Sequence, residues 1–263
     1  MKIGFIGCGN MGGALARAAA KTNPECLYLA DYSKEKAEAL ARELSACAKT
    51  NKEISAKADL VFLAVKPNVI ASVVEDIKGE LLDSGATVVT MAAGVKIEKL
   101  EAILGKNHPI IRIMPNTPAA VGKGMITWCK NSAVSKERES DLLLSLSEAG
   151  TLDLISESMI DAASALAGCG PAFVYMFADA LADGAVACGL PRDKALSYAV
   201  ETLIGAAEMI KTSGKHPEKL KDEVCSPGGS TIEGVLALEN GAFRSTSSAA
   251  VISAFEKTKL LGK

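Results

Sequence analysis

The sequence predicts a two-part chain: a doubly wound α/β domain of parallel strands over residues 1–158, followed by an all-α domain over 159–263. Three observations predict it. Up to about residue 155, short runs rich in Val, Ile and Leu alternate with amphipathic segments, as strands buried between two helix layers do. Beyond that point the strand pattern stops and long Ala-rich helical stretches take over. A glycine-rich turn joins the first run to the first helix.

Taken in order, strands are expected at "KIGFIG", "CLYLAD", "DLVFLAVKP", "ATVVTMAAG", "HPIIRIMPN", "GMITWCK" and "TLDLIS". Helical patterns lie between them, among them "SKEKAEALARELSA", with Leu40 and Leu44 four apart, and "VIASVVEDIKGEL". In the second part "MIDAASALAG", "GPAFVYMFADALADGAVACG", "PRDKALSYAVETLIGAAEMIKTSG" and "STSSAAVISAFEKTKLLG" suit helices. Pro191 fits the first turn of one, where its missing N–H costs nothing, and Gly214 fits its stop. Small residues let these helices approach closely, but about 100 residues of thin helices make a weak core alone. The second part is therefore expected to pair with another copy of itself, as a homodimer.

Bulk properties exclude several classes. Net charge is −2, so no electrostatic footprint for nucleic acid or an anionic membrane is present. The seven cysteines include no CxxC pair, which reads as reduced thiols in a cytoplasmic protein. With His108 and His216 the only histidines, no His-rich metal site is expected. The N-terminus enters a strand pattern without a signal-peptide layout. Residues 171–189 are nearly long enough to span a bilayer, but Asp179 and Asp183 would be costly in lipid.

The turn "GFIGCGNMGGALA" carries the first chemistry. Gly7 permits the tight turn, Gly9 lets backbone approach a pyrophosphate, and Gly12 lets helix and strand pack closely. The phosphates then face the unpaired N–H groups of a helix start. Asp31 ends the second strand about 20 residues on, the position that meets the adenosine ribose. Such a Rossmann-type domain binds a dinucleotide. Asp31 suits the free hydroxyls of NAD, whereas Ser33 and Lys34 behind it could hold a 2′-phosphate, so the cofactor is read as NADPH or NADH.

Three more features fall at strand C-terminal ends, where open α/β sheets place ligands. "AVKP" ends one strand, "MAAG" ends another with residues small enough to lie beneath a nicotinamide, and Asn116 of "RIMPNTPAAVGKG" is expected to pair with the carboxamide. The last motif is "CSPGGSTIEGV". Backbone N–H groups of Gly228, Gly229 and Ser230 at a helix start suit a carboxylate, with Thr231 offering a hydroxyl. The plainer reading is that Ser230 caps the helix, with Glu233 completing a capping box.

Together, "GFIGCGNMGGALA", "FLAVKP", "AAGV", "RIMPNTPA", "GCGPAFVYMFADALADGAVACGLPR" and "LKDEVCSPGGSTIEG" resemble pyrroline-5-carboxylate reductase, from residue 3 to roughly residue 258. The resemblance implies NAD(P)H-dependent reduction of the cyclic imine Δ1-pyrroline-5-carboxylate to L-proline. It also implies an interlocked homodimer in which each active site uses the partner's helical domain, or a larger assembly of dimers. Carried onto this chain, cofactor contacts are Ile6, Gly7, Cys8, Gly9, Asn10 and Met11 of the glycine-rich turn, with Asp31, Tyr32 and Asn51. Ala64, Val65, Lys66 and Pro67 join them from "AVKP", and Ala92, Ala93 and Gly94 from "MAAG". Substrate contacts are Glu157, Glu223, Ser230 and Thr231, with Thr231 the catalytic candidate.

The chain departs from the family where "AGCGPAF" replaces "SGSGPAY", which removes hydroxyls at Ala167, Cys169 and Phe173. Glu223 stands where relatives carry an amide, and Asp31 where many carry small hydroxyl residues. β-Hydroxyacid dehydrogenases share a similar plan but need a lysine base shortly after a Gly-x-Gly helix start. The matching position is Val174, and no lysine follows until Lys194. A non-catalytic dinucleotide sensor would keep the glycine-rich turn but has no use for "SPGGST". Cys8 could be redox-sensitive only if the helix end stabilised its thiolate.

Overall fold

A computed structural model describes residues 1–22 and 26–261. Gly262, the last residue of the final expected helical stretch, lies outside the described residues. Eight strands form one sheet: β1 (Ile3–Ile6), β2 (Leu27–Ala30), β3 (Cys47–Ala48), β4 (Leu60–Leu63), β5 (Thr87–Thr90), β6 (Ile110–Met114), β7 (Gly124–Lys130) and β8 (Gly150–Leu154). Their spatial order is β3-β2-β1-β4-β5-β6-β7-β8. Helices α1 (Asn10–Thr22), α2 (Lys34–Glu43), α3 (Asn51–Lys57), α4 (Ile70–Asp76), α5 (Lys78–Ser84), α6 (Ile97–Leu104) and α7 (Lys136–Ser145) connect them.

The strand reading needs two corrections. β3 is two exposed residues and has no apolar run to announce it. β7 pairs antiparallel with β6, and β8 runs parallel to β7, so the sheet is not parallel throughout. The reversal arises because β6 returns through a single turn of 3₁₀ helix, Thr117–Val121, ended by Gly122 at φ 72°. Such a short link cannot carry the chain back for a parallel crossover.

Period-2 alternation within each strand feeds two apolar layers, one per face. Ile3, Phe5, Leu60 and Phe62 pack with Leu15 of α1 and Leu142 of α7. Ile6, Val61 and Leu63 pack with Ile54, Ile70, Leu81 and Leu100. Phe5 and Phe62 stack at 4.4 Å between ring centroids. Each of these fully buried side chains stabilises the fold by about 1.5–3 kcal/mol.

The remaining helices are α8 (Glu157–Ala163), α9 (Gly170–Ala187), α10 (Arg192–Ser213), α11 (Pro217–Val224), α12 (Ser230–Asn240) and α13 (Phe243–Leu261). A π-helical turn, Ser164–Gly168, follows α8. Pro191 is the N-cap of α10, one place before the expected first turn, and Gly214 ends that helix at φ 64°. α11 lies in a stretch not expected to be helical; His216 caps it through its ring nitrogen, with Pro217 at its first position.

The chain divides into two compact units. One is Met1–Cys169 together with the chain from 254 onward; the other is Gly170–Ser253. This division falls at 169/170, whereas the change of sequence rhythm falls at 158/159, because α8 clusters with the sheet. In the helical unit the buried core is small, formed by Ala182, Ala195 and Ala199. Met176, Tyr175, Tyr198 and Ile204 are all more than half exposed.

Candidate active site

The glycine-rich turn opens directly from β1. The Gly7 N–H donates to the Ala30 carbonyl at 2.8 Å, tying the turn to the end of β2. Gly7 has φ 108°, and a Cβ there would lie 2.5 Å from the Ala64 carbonyl oxygen. At Gly12 a Cβ would come within 2.1 Å of the Gly7 carbonyl oxygen. At Gly9, by contrast, a Cβ would meet nothing within 4 Å. Gly7 and Gly12 are thus needed by the fold, whereas Gly9 leaves open space beside the start of α1. That space, with Asn10 and Met11 at a helix N-terminus, fits a pyrophosphate.

Asp31 closes the ring around this turn. Its Oδ2 accepts the Cys8 N–H at 2.6 Å, and its Oδ1 accepts the Ser33 N–H at 3.0 Å. The Cys8 thiol points back to the Ala30 carbonyl at 3.4 Å. Burial first, and the Asp31 charge second, push that thiol up to about 11. Both effects act against a thiolate at Cys8, in line with a small residue that fits the turn.

The other cofactor candidates gather at the same sheet edge. Ala64 follows β4 and donates its N–H to the Ile6 carbonyl at 2.8 Å; Val65, Lys66 and Pro67 lead away from it. Ala92 is buried and its N–H reaches Thr90 Oγ1 at 3.4 Å, while Gly94 turns at φ 73°. Asn51 begins α3 beside a Thr50–Glu53 capping box. Tyr32 is fully exposed. A cleft of about 580 Å³ at this edge is lined by Asp31, Lys34, Lys49 and Asn51 among others.

Asn116, the expected carboxamide partner, makes two hydrogen bonds within the sheet unit. Its Nδ2 donates to the Ala167 carbonyl at 2.9 Å, and its Oδ1 accepts the Met125 N–H at 2.9 Å. Both ends of this buried amide hold the loop after β6, and one Nδ2–H and one Oδ1 lone pair are left over.

Glu157, the expected substrate contact, is anchored through one carboxylate oxygen and is partly exposed. Its Oε1 accepts from Arg112 Nη1 at 3.2 Å and from the Ile97 N–H at 2.8 Å. Arg112 is 1% exposed and also reaches Asp161 at 3.0 Å. Glu157 thus supplies the N-terminal cap that Lys96 does not provide for α6. Sequence reasoning missed this cluster; its signal was an arginine inside the apolar run "HPIIRIMPN", since a buried charge needs partners.

The helical unit holds Glu223, Gly228, Gly229, Ser230 and Thr231 together. Gly228 adopts φ 65°, and the Gly229 N–H donates to the Ser226 carbonyl at 3.0 Å. That bond removes Gly229 from the expected anion cradle. α12 starts at Ser230 with Gly229 as N-cap and no side-chain cap bond. The capping-box reading is therefore not realised. Ser230 and Thr231 are exposed, and their hydroxyls make no hydrogen bond among the described residues. Glu223 is held by Lys215, whose Nζ reaches both carboxylate oxygens at 2.9 Å.

Comparison with known proteins agrees with both parts of this geometry. The model of pyrroline-5-carboxylate reductase dimerisation matches residues 157–261, and that of NADP oxidoreductase, coenzyme F420-dependent, matches residues 2–94. The chain is 40% identical to the pyrroline-5-carboxylate reductase of Escherichia coli, covering 100% of this chain and 98% of that one. The solved Plasmodium falciparum pyrroline carboxylate reductase with NADP bound aligns at TM-score 0.90 and 35% identity, over 100% of this chain and 98% of that one. A Coxiella burnetii pyrroline-5-carboxylate reductase structure aligns at 0.92 and 30%, with the same coverage. The chain belongs to the pyrroline-5-carboxylate reductase family.

Proposed function

We propose that this chain reduces Δ1-pyrroline-5-carboxylate to L-proline with NADPH or NADH, the last step of proline biosynthesis. The observation that carries the reading is the turn before α12, with Gly228 at positive φ and two exposed, unpartnered hydroxyls at Ser230 and Thr231. Exposed hydroxyls that make no hydrogen bond among the described residues are available for a ligand. The Gly228 and Ser230 N–H groups suit the substrate carboxylate at the start of α12, and Thr231 suits the ring nitrogen.

A bound nicotinamide dinucleotide supplies the hydride that reduces the imine carbon. The chain's own task is to fix orientation, since a protonated imine is already electrophilic. Thr231 holds the nitrogen with its proton, and no strong base is needed. Val174, where a β-hydroxyacid dehydrogenase would carry its lysine, is half-exposed and apolar, which disfavours alcohol chemistry.

The helical unit completes itself with a second copy. Four buried alanines, Ala178, Ala182, Ala195 and Ala199, cannot sustain it alone, and its exposed apolar side chains form the covered face of a homodimer. This reading also accounts for Glu157–Ala187, a helical stretch apolar enough to cross a membrane by length and composition. Asp183 on that stretch pairs with Arg192 at 2.6 Å, a pair suited to a water-facing helix in a cytoplasmic protein.

The test follows NADH and NADPH oxidation with pyrroline-5-carboxylate, beside Thr231→Ala. The variant is expected to lose about 100-fold in kcat/KM with an unchanged dinucleotide dissociation constant. No turnover by folded protein that binds dinucleotide overturns the reading.

A further inference from the structure

We infer that the cofactor cleft selects the free 2′-hydroxyl of NADH over the 2′-phosphate of NADPH, and that Asp31 is the discriminating residue. The inference rests on the glycine-rich edge being a dinucleotide site. The relative solved with NADP bound shares this backbone at TM-score 0.90, so the choice between the two cofactors lies with side chains.

Asp31 is placed for a diol. Its two oxygens are held by the Cys8 and Ser33 N–H groups at 2.6 and 3.0 Å, so the carboxylate is fixed between the phosphate turn and the start of α2. An ionised carboxylate has about four acceptor positions. Each oxygen therefore keeps capacity for one hydroxyl of a ribose, the partner expected at the end of the second strand.

The groups that could hold a 2′-phosphate already have partners. The Ser33 hydroxyl donates to Glu35 at 2.8 Å and accepts the Lys36 N–H at 3.4 Å as the N-cap of α2. Lys34 lies 3.7 Å from Glu38, and Lys49 lies 3.7 Å from Glu53. Such exposed pairs are weak, and either lysine is free to swing. The lining of the cleft nevertheless sets the carboxylates of Asp31, Glu38 and Glu53 against the ammonium groups of Lys34 and Lys49. A dianionic phosphate entering it meets a net negative wall, with Asp31 and Glu53 each held in place by hydrogen bonds.

Direct binding of NADH and NADPH to the full chain tests this, with competition by ADP and 2′,5′-ADP to isolate the adenosine end. NADH is expected to bind at least about tenfold tighter than NADPH, and ADP to compete better than 2′,5′-ADP. Asp31→Asn is expected to bring the NADH/NADPH ratio within about threefold. Equal or tighter NADPH binding by the wild type overturns the inference and leaves the dinucleotide reading standing. Binding of neither dinucleotide overturns both. An unchanged ratio in folded Asp31→Asn overturns the role of Asp31. If that variant misfolds for want of the Cys8 tether, the wild-type competition decides alone.

Discussion

Arg112 and Glu157, 45 residues apart, meet at 3.2 Å, and the same Glu157 oxygen caps the Ile97 N–H. One buried guanidinium on β6 thus joins the start of α8 to the start of α6, the helix that follows the Ala92–Gly94 turn.

Removing the guanidinium leaves Glu157 and Asp161 without their shared partner. Arg112→Met is expected to cost about 3 kcal/mol, the lower end for a broken buried pair because both carboxylates are partly solvated. Glu157→Gln keeps an acceptor for Ile97 and should cost about 1 kcal/mol, with the KM for the imine unchanged. Urea unfolding and steady-state kinetics check both. A raised KM with unaltered stability would return Glu157 to the substrate.

The glycine-rich turn separates folding from binding. Gly12→Ala drives a Cβ into the Gly7 carbonyl and should destabilise by roughly 1–3 kcal/mol. Gly9→Ala meets open space, so stability should hold within about 0.5 kcal/mol. Its dinucleotide affinity should nonetheless fall by about tenfold or more. Thermal unfolding and nucleotide titration of both variants decide this, and loss of fold in Gly9→Ala would contradict it.

Thiol chemistry should spare Cys8. With its pKa near 11, about one part in a thousand is thiolate at pH 8. The exposed Cys47 and Cys188 should be alkylated first, with Cys8 labelling rising steeply only toward pH 10. Mass spectrometry of timed labelling would contradict this if Cys8 reacted alongside Cys47 at neutral pH.

His108 gives acid sensitivity. Burial lowers its pKa from the ordinary 6.5, with a backbone hydrogen bond at Ala86 opposing, and its Nε2 has no partner among the described residues. The unfolded chain therefore binds the proton more readily than the folded one. Its contribution is fully present above 6.5 and is lost as the pH falls through that value toward the depressed folded pKa. His108→Gln should flatten the stability profile in that window, measured as urea midpoints between pH 7 and 5.

Much of the architecture was legible because it is local. The strand "KIGFIG" and the turn after it announce themselves by a run of apolar residues and by glycines at fixed offsets. β3 escaped because two exposed residues carry no periodicity, and α11 because its start depends on a His216 ring cap and a proline. The reversal at β7 depends on a 3₁₀ turn whose length, not its composition, sets strand direction.

Site residues divide the same way. Asp31 and the glycines follow from spacing along one βαβ unit. The partners of Asn116 and Glu157 (Ala167, Met125, Ile97 and Arg112) do not follow from spacing, because they are set by packing between distant segments.

The sequence by itself determined the two rhythms, the dinucleotide turn and the "SPGGST" motif, since each is written in neighbouring residues whose backbone preferences and burial periods act locally. Only the tertiary structure decided which polar side chains stay free. Asn116 and Arg112 are buried and draw Ala167, Met125 and Glu157 into hydrogen bonds, because an unpartnered polar group there would be costly. Ser230 and Thr231 remain open because Gly229, not a side chain, is the N-cap of α12 and its N–H bonds back to Ser226.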